Sequence, residues 1–498
     1  MRLFLTSVIL MLTLLAGCSR NNNETLHIRV DASQKLHTLQ GGLGASWHTI
    51  SKEIPLYLEG YKYLPQGSTP RGSAYGGNPP VSDVKGWKQV TDHASWLGLN
   101  FIRVEMSQRM YEPKRRRFDW DNEEMQALYN ILDWCQQKGA DVLLQQMWRY
   151  VDWNAIPEVH PLVSAPKSAE DFVYSIGTLM EHLINTKGYS CIRYFGMTNE
   201  PPGGTWGSWW EYGGQEGSIN DVWQLLHEEF VKRDIKVPVS GPGWTDMPPF
   251  EEEKLSFASS MGSIDIHSYQ GVTPAGEENL RQWAAWAHNQ NKPFFLTEFG
   301  NMNLGWRSDN PGPKTFDAAL SNAQDVIRGL QAGVDGFNRW SFTNRGDLDG
   351  QWQLIQTWNR EKKEYLSDII PEKEAYYGFA ILSRFFSKYA STVSCKASKP
   401  DSLLMQAALI SPEGELSVFL VNLQDAPVDV SFEVVKLPGK TMNVYQVSEE
   451  ILANPHFEMD AIDRLNSGKK MKISLPSRSI TTVTSYNLSH NDNGIILK

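Results

Sequence analysis

The chain has 498 residues, 41% of them hydrophobic and 21% charged, a globular composition with length enough for two or three domains or one large barrel with an appendage. Its net charge of -10 is spread thinly, with no acidic tail and no basic stripe of the kind nucleic acid requires, so nucleic-acid binding is not expected. The 18 tryptophans exceed what a core needs, because indole is hard to bury completely and keeps an N–H that wants a partner.

At the amino terminus Arg2 precedes an apolar run, Leu3 to Leu15, too short for a permanent bilayer span and ending in Leu15-Ala16-Gly17-Cys18. The pattern resembles a bacterial lipoprotein signal. That resemblance implies removal of residues 1–17, lipid on the Cys18 sulfur, a tether over 18–24, and, with Ser19 after the cysteine, anchorage in the outer membrane of the cell envelope. An ordinary secretory signal with a chance cysteine is the alternative. Cys135, Cys191 and Cys395 are widely spaced in apolar segments and read as buried free thiols, although an oxidising compartment permits one disulfide.

Thr25 to Val30 alternates as a strand, and Leu39 to His48 reads as a first barrel strand whose glycines allow close backbone approach. Residues 51–86 lack periodicity and read as a long loop able to wall a cleft. From Trp87 helices alternate with short apolar strands. The helices are Trp87 to Leu97, Asn122 to Lys138, Ala169 to Thr186, Asn220 to Arg233, Glu277 to Asn289, Asp317 to Ala332 and Glu374 to Tyr389. Strands fall near residues 40, 101, 143, 194, 238, 265, 295 and 338, and eight strands with intervening helices predict a (β/α)8 TIM barrel over 40–389. Period-two segments from Leu403 to Tyr486 then predict a β-sandwich side domain over 390–498, completed by the strand at 25–39.

Two strand ends carry the chemistry. Cys191 to Met197 is apolar and stops at Thr198-Asn199-Glu200-Pro201; Lys292 to Thr297 stops at Glu298. In a barrel of this kind catalytic groups project from the C-terminal strand ends, and these are the fourth and seventh. Paired carboxylates across a mouth suit glycosidic bond cleavage, which needs a proton on the leaving oxygen and either a nucleophile or an activated water at the anomeric carbon. At about 5 Å separation Glu298 attacks directly while Glu200 serves as acid and then base.

This arrangement resembles a clan A retaining glycoside hydrolase. The resemblance implies that Asn199 bonds the sugar 2-OH, that Arg103 lies near the nucleophile, that His267 and Tyr269 form the pair on the sixth strand, and that Trp340 lies under the sugar. Gly41 to Ser46, Tyr376-Tyr377-Gly378-Phe379 and Leu475 to Thr482 look most like glycoside hydrolase family 30, with families 5 and 39 as near alternatives. Family 30 implies β-1,6-glucan, β-1,6-galactan, glucuronoxylan, xylosides, fucosides or glucosides as substrates, and no cofactor.

Each residue has a plainer reading. Asn199-Glu200-Pro201 alone could cap a helix, His267 and Trp340 could be core, and Arg103 could be a structural ion pair. Trp148, Trp206, Trp209 and Trp210 offer flat faces to a sugar or brace their loops. Asp347 and Asp349 fall short of a calcium set and read as a turn, and Arg307 and Arg345 could meet an acidic sugar or only solvent. A glycan-binding lipoprotein on an inactive barrel is the non-enzymatic alternative. A metal-dependent hydrolase would require clustered His and Asp at strand ends, which the sequence does not show.

Overall fold

A computed structural model describes residues 26–49, 61–62, 77–148, 151–161, 164–201, 218–245, 250–252, 256–269, 274–304, 311–344, 352–359, 361–362, 364–437, 439–467 and 470–496. Eight parallel strands close a barrel. They are the paired segments Leu43–Ala45 and Trp47–His48, then Phe101–Ser107, Asp141–Trp148, Ile192–Gly196, Val239–Trp244, Ser263–Ser268, Phe294–Phe299 and Gly336–Arg339. Closure runs through the first strand, whose leading half pairs with the eighth and whose trailing half pairs with the second. Ser46, between the halves, donates its N–H to the Arg339 carbonyl at 2.9 Å. The second, sixth, seventh and eighth strands are buried at every position, as expected where helices cover one face of a parallel sheet and side chains fill the other.

Local chemistry sets the helix ends. Asn122 accepts from the Met125 N–H to start Glu123–Lys138, and Gly139, at φ 74°, ends it in a left-handed turn. Ser168 and Thr315 cap Ala169–Glu181 and Phe316–Ala332 in the same way. The helix expected to run on to Tyr389 is Lys373–Ser383, followed by turns that hand the chain to the side domain.

Inside the barrel, Phe101, Leu143 and Phe295 pack with Tyr194 as an apolar plug. Phe295 lies 4.9 Å, ring to ring, from both Phe101 and Tyr194. Polar side chains take over above it, toward the C-terminal strand ends, so the barrel has a dry floor and a charged mouth.

The remaining strands form one nine-stranded sheet in which Leu26–Thr38 lies antiparallel to Ser391–Ala397 and parallel to Val428–Val435. Only two residue pairs, at Ser391 and Thr392, join Ser391–Ala397 to Leu404–Ile410, and there the sheet turns into its second layer. Ile28, Val30, Val418, Phe432, Val444 and Val483 belong to the core shared by the two layers. The side domain is welded to the barrel. Phe419, Tyr445, Val447 and Ile480 join the barrel's own apolar cluster, and each such buried side chain stabilises by about 1.5–3 kcal/mol. Arg384 adds hydrogen bonds to the Trp96 and Ser489 carbonyls at 2.9 and 2.8 Å. Among the described residues no helix is long and apolar enough to cross a membrane. The hairpin Ile355–Asn359 and Glu364–Pro371, beyond the eighth barrel strand, is not anticipated from the sequence.

Candidate active site

The fourth barrel strand ends at Gly196, where an added Cβ would come within 2.0 Å of Gln145 Oε1. The space that glycine leaves is used: Gln145 Nε2 donates to the Thr198 carbonyl at 2.6 Å and fixes the turn that follows. Glu200 sits at φ 50°, a left-handed conformation rare outside glycine, and its N–H donates to the Gly243 carbonyl at 3.0 Å. The carboxylate is thereby aimed across the mouth.

Glu298 reaches the mouth by another device. Phe295 packs in the barrel's apolar plug and Thr297 donates to the buried Asp265 at 2.8 Å, so strict alternation would send Glu298 outward. The register slips between the Ile266–Leu296 and His267–Glu298 pairs, and this bulge turns Glu298 inward. There Arg103 Nη1 donates to Oε1 and the Tyr269 hydroxyl to Oε2.

His267 Nδ1 lies 2.8 Å from Glu200 Oε1 and 3.4 Å from Glu298 Oε2. Arg103 also donates from Nη2 to Asn199 Oδ1 at 2.6 Å and from Nη1 to Glu105 Oε1 at 2.8 Å. Asn338 Oδ1 accepts from the Arg103 N–H at 2.8 Å. Glu298, Glu105 and His267 are almost fully buried, and Glu200 is 11% exposed.

Burial shapes the electrostatics. It drives His267 down to about 4, reinforced by Arg103 against the pull of Glu298, so the imidazole is neutral at neutral pH. Burial pushes Glu298 upward, helped by the Glu200 and Glu105 charges and opposed by His267 and Arg103. For Tyr269 burial and the Glu298 charge raise the phenol far above its ordinary range, which keeps it a neutral donor. Burial acts against the Arg103 charge, but Glu298 and Glu105 outweigh it and the guanidinium stays cationic.

The structure brings together Glu200, Glu298, Asn199, Arg103, His267 and Tyr269. Arg103 is both a structural ion pair and a direct partner of Glu298. Trp340, 5% exposed, follows the eighth barrel strand and meets the His48 ring edge-on at 5.1 Å. Trp148 ends the third barrel strand, and its side chain lies outside the described residues. So do Cys18, Trp206, Trp209, Trp210, Arg307, Arg345, Asp347 and Asp349, with most of the 51–86 loop. Cys135, Cys191 and Cys395 are free thiols.

Two members of the site escape the sequence reading. Glu105 is two residues after Arg103 on one strand, hence on the same inward face, a signal that period two could have supplied. His48 ends the first barrel strand, and its Nδ1 donates to Glu105 Oε2 at 2.7 Å. The Nε2 atoms of His48 and His267 are buried without hydrogen-bond partners, a state costing about 1–3 kcal/mol each.

Glu200, His267 and Glu298 offer donor atoms within 4.8 Å of one another, a metal-type cluster that the sequence does not reveal. Arg103 and Tyr269 already donate to both Glu298 oxygens, so a cation there would compete with a guanidinium for one carboxylate. Asp335, His37 and His288 form a second such group at the opposite end of the barrel.

The fold is shared with solved glycosidases. A glycoside hydrolase family 30 subfamily 8 xylanase from Clostridium acetobutylicum aligns over 92% of this chain and 99% of its own, at 14% identity and TM-score 0.61. An endo-β1,6-glucanase aligns over 93% and 94% at 13% identity and TM-score 0.62. A conserved exported protein from Bacteroides fragilis aligns over 92% and 100% at 14% identity and TM-score 0.65. No curated protein matches the chain. At these identities the family 30 likeness is one of fold, and the family model that matches is that of family 5, one of the two near alternatives. Its match to residues 66–333, more than half of the sequence, establishes that the chain belongs to the cellulase family, glycosyl hydrolase family 5, and is a glycoside hydrolase.

Proposed function

We propose that the enzyme is a retaining β-glycoside hydrolase that cleaves an oligo- or polysaccharide by double displacement, with Glu298 as nucleophile and Glu200 as acid and base. One observation carries this reading: carboxylate oxygens of Glu200 and Glu298 lie within 4.8 Å of each other. Retaining glycosidases hold their carboxyl groups about 5–5.5 Å apart, whereas inverting ones need about 6.5–9.5 Å to admit a water.

In the first step Glu298 attacks the anomeric carbon while protonated Glu200 transfers its proton to the departing oxygen. Arg103 and Tyr269 hold Glu298 in line, so the attacking oxygen needs no reorganisation. In the second step ionised Glu200 takes a proton from water, the water oxygen attacks the anomeric carbon, and Glu298 leaves as carboxylate. Neutral His267, within reach of both carboxylates, orients them without adding a charge of its own. Asn199, its Oδ1 fixed by Arg103, offers its NH2 group to a sugar hydroxyl, and Trp340 lines the sugar's apolar face.

The lipoprotein-like Leu15-Ala16-Gly17-Cys18 supports a site of action in the cell envelope, with the chain lipid-anchored at Cys18, in keeping with the exported character of the Bacteroides fragilis neighbour. The xylanase and β1,6-glucanase neighbours support a polysaccharide substrate. The test is Glu298→Ala assayed with and without azide. Loss of turnover and its restoration by azide, with the opposite anomer formed, is the expected result; failure of azide to restore turnover removes Glu298 from the nucleophile's role.

A further inference from the structure

His48 has no part in the double displacement, yet it is built into the mouth with unusual care. Its backbone pairs with Glu105 in the strand register, and its carbonyl accepts from Asn78 Nδ2 at 2.6 Å. Asn78 Oδ1 in turn accepts from the neighbouring Trp47 indole at 2.7 Å. The ring is 1% exposed, and Glu105 Oε2 holds Nδ1 at 2.7 Å. Glu105 is itself fixed, since its other oxygen accepts from the Arg103 Nη1 that also serves Glu298. A ring oriented this firmly by one nitrogen has a defined direction for the other. That other nitrogen, Nε2, is buried and has no hydrogen-bond partner.

Placement says what it waits for. The first barrel strand lies between the second, which carries Arg103, and the eighth, which leads into Trp340. Trp340 meets the His48 ring at an interplanar angle of 66°. Glu200 is on the fourth strand, separated from the first by the second and third. In the proposed mechanism the leaving group departs toward Glu200, so the ring of the sugar attacked by Glu298 extends the other way, over Trp340 and toward His48.

We infer that His48 Nε2 hydrogen-bonds a hydroxyl of the glycone, on the side of the ring remote from the scissile oxygen, and that His48 with its Glu105 brace is a specificity-determining pair. With Nδ1–H donated to Glu105, Nε2 presents its lone pair and accepts from that hydroxyl; an imidazolium would donate to the same hydroxyl oxygen. A hydroxyl therefore satisfies Nε2 in either protonation state. A sugar lacking it leaves a buried nitrogen unpaired and is rejected. The inference rests on the retaining-glycosidase reading and adds to it the part of the substrate that the site selects.

The experiment compares 4-nitrophenyl β-glycosides and their 3-, 4- and 6-deoxy derivatives on wild type, His48→Asn and His48→Gln. Asparagine keeps a polar atom near Nδ1 for Glu105 but none near Nε2; glutamine returns one near Nε2. In wild type, one deoxygenation is expected to lower kcat/KM by roughly 5- to 150-fold beyond the others. His48→Asn should suffer a drop of that size on the parent glycoside and almost none on that deoxy sugar, and His48→Gln should recover part of the discrimination. Equal losses for His48→Asn on every sugar would make the residue structural and overturn the inference, while leaving the glycosidase reading intact. A wild type indifferent to each deoxygenation overturns it without recourse to a variant. Absence of wild-type turnover on all the glycosides would overturn the retaining reading on such substrates, and this inference with it.

Discussion

The two ends of the barrel each bury a carboxylate among imidazoles, and they treat it in opposite ways. At the closed end Asp335 Oδ1 accepts from His37 Nε2 at 2.8 Å and the Gln40 N–H at 3.2 Å. Its Oδ2 accepts from His288 Nε2 and the Phe294 N–H, both at 2.8 Å. The two rings stack with centroids 4.6 Å apart. Burial works against the Asp335 charge, but the hydrogen bonds from His288, His37 and Phe294 outweigh it and hold the carboxyl below its usual range. At the open end burial wins, Glu298 is pushed upward, and His267 and His48 keep a buried nitrogen unpaired. A saturated network ties elements together: His37 comes from the side domain's strand, His288 from the helix Pro274–Asn289, and Asp335 from the turn into the eighth strand. An unsaturated one leaves hydrogen-bonding capacity for a ligand.

That contrast can be broken from either side. Glu200→Gln should lower turnover by about 100- to 10,000-fold, the usual worth of general acid–base help, while oligosaccharide binding measured by calorimetry persists. Unaltered turnover would end the assignment of Glu200. Asp335→Asn should do the reverse. It should cost about 3 kcal/mol of unfolding free energy, the upper end of what a hydrogen bond to a buried charged group contributes, with kcat/KM per folded molecule unchanged.

The Asp335 effect has a pH signature. Its folded pKa lies below the reference value of 3.8, so the stabilisation is present above that value and is lost as pH falls through the lower, folded one. Denaturant titrations should therefore show the two proteins converging in stability under strong acid and diverging as pH rises past 4. Reduced activity at undiminished stability would exchange the roles assigned to the two ends.

Much of this was legible in the sequence because strand ends are punctuated. The apolar runs stop at Asn199-Glu200 and at Glu298, and helices of regular period separate them, which suffices to number the strands. What the sequence hides is register. Glu298 faces inward only because of the bulge at Thr297, and no local pattern announces a bulge. His48 and Glu105 belong to adjacent strands 57 positions apart in the chain, so their pairing appears only once the barrel closes. Asp335 reads as an ordinary turn residue until His37, far away in sequence, is folded against it. The hairpin at Ile355–Asn359 and Glu364–Pro371 is masked by charge, its Asn359-Arg360-Glu361-Lys362-Lys363-Glu364 connection giving no hydrophobic alternation.

The central claim is that two carboxylates this close carry out two successive displacements at one anomeric carbon, Glu298 as nucleophile and Glu200 as proton donor and then acceptor. Proton NMR of the first product released by wild-type enzyme from an aryl β-glycoside tests it most directly. The β-anomer should appear first, with the α-anomer growing in only as mutarotation proceeds; an α-anomer formed first would show a single displacement by water and contradict Glu298 as nucleophile.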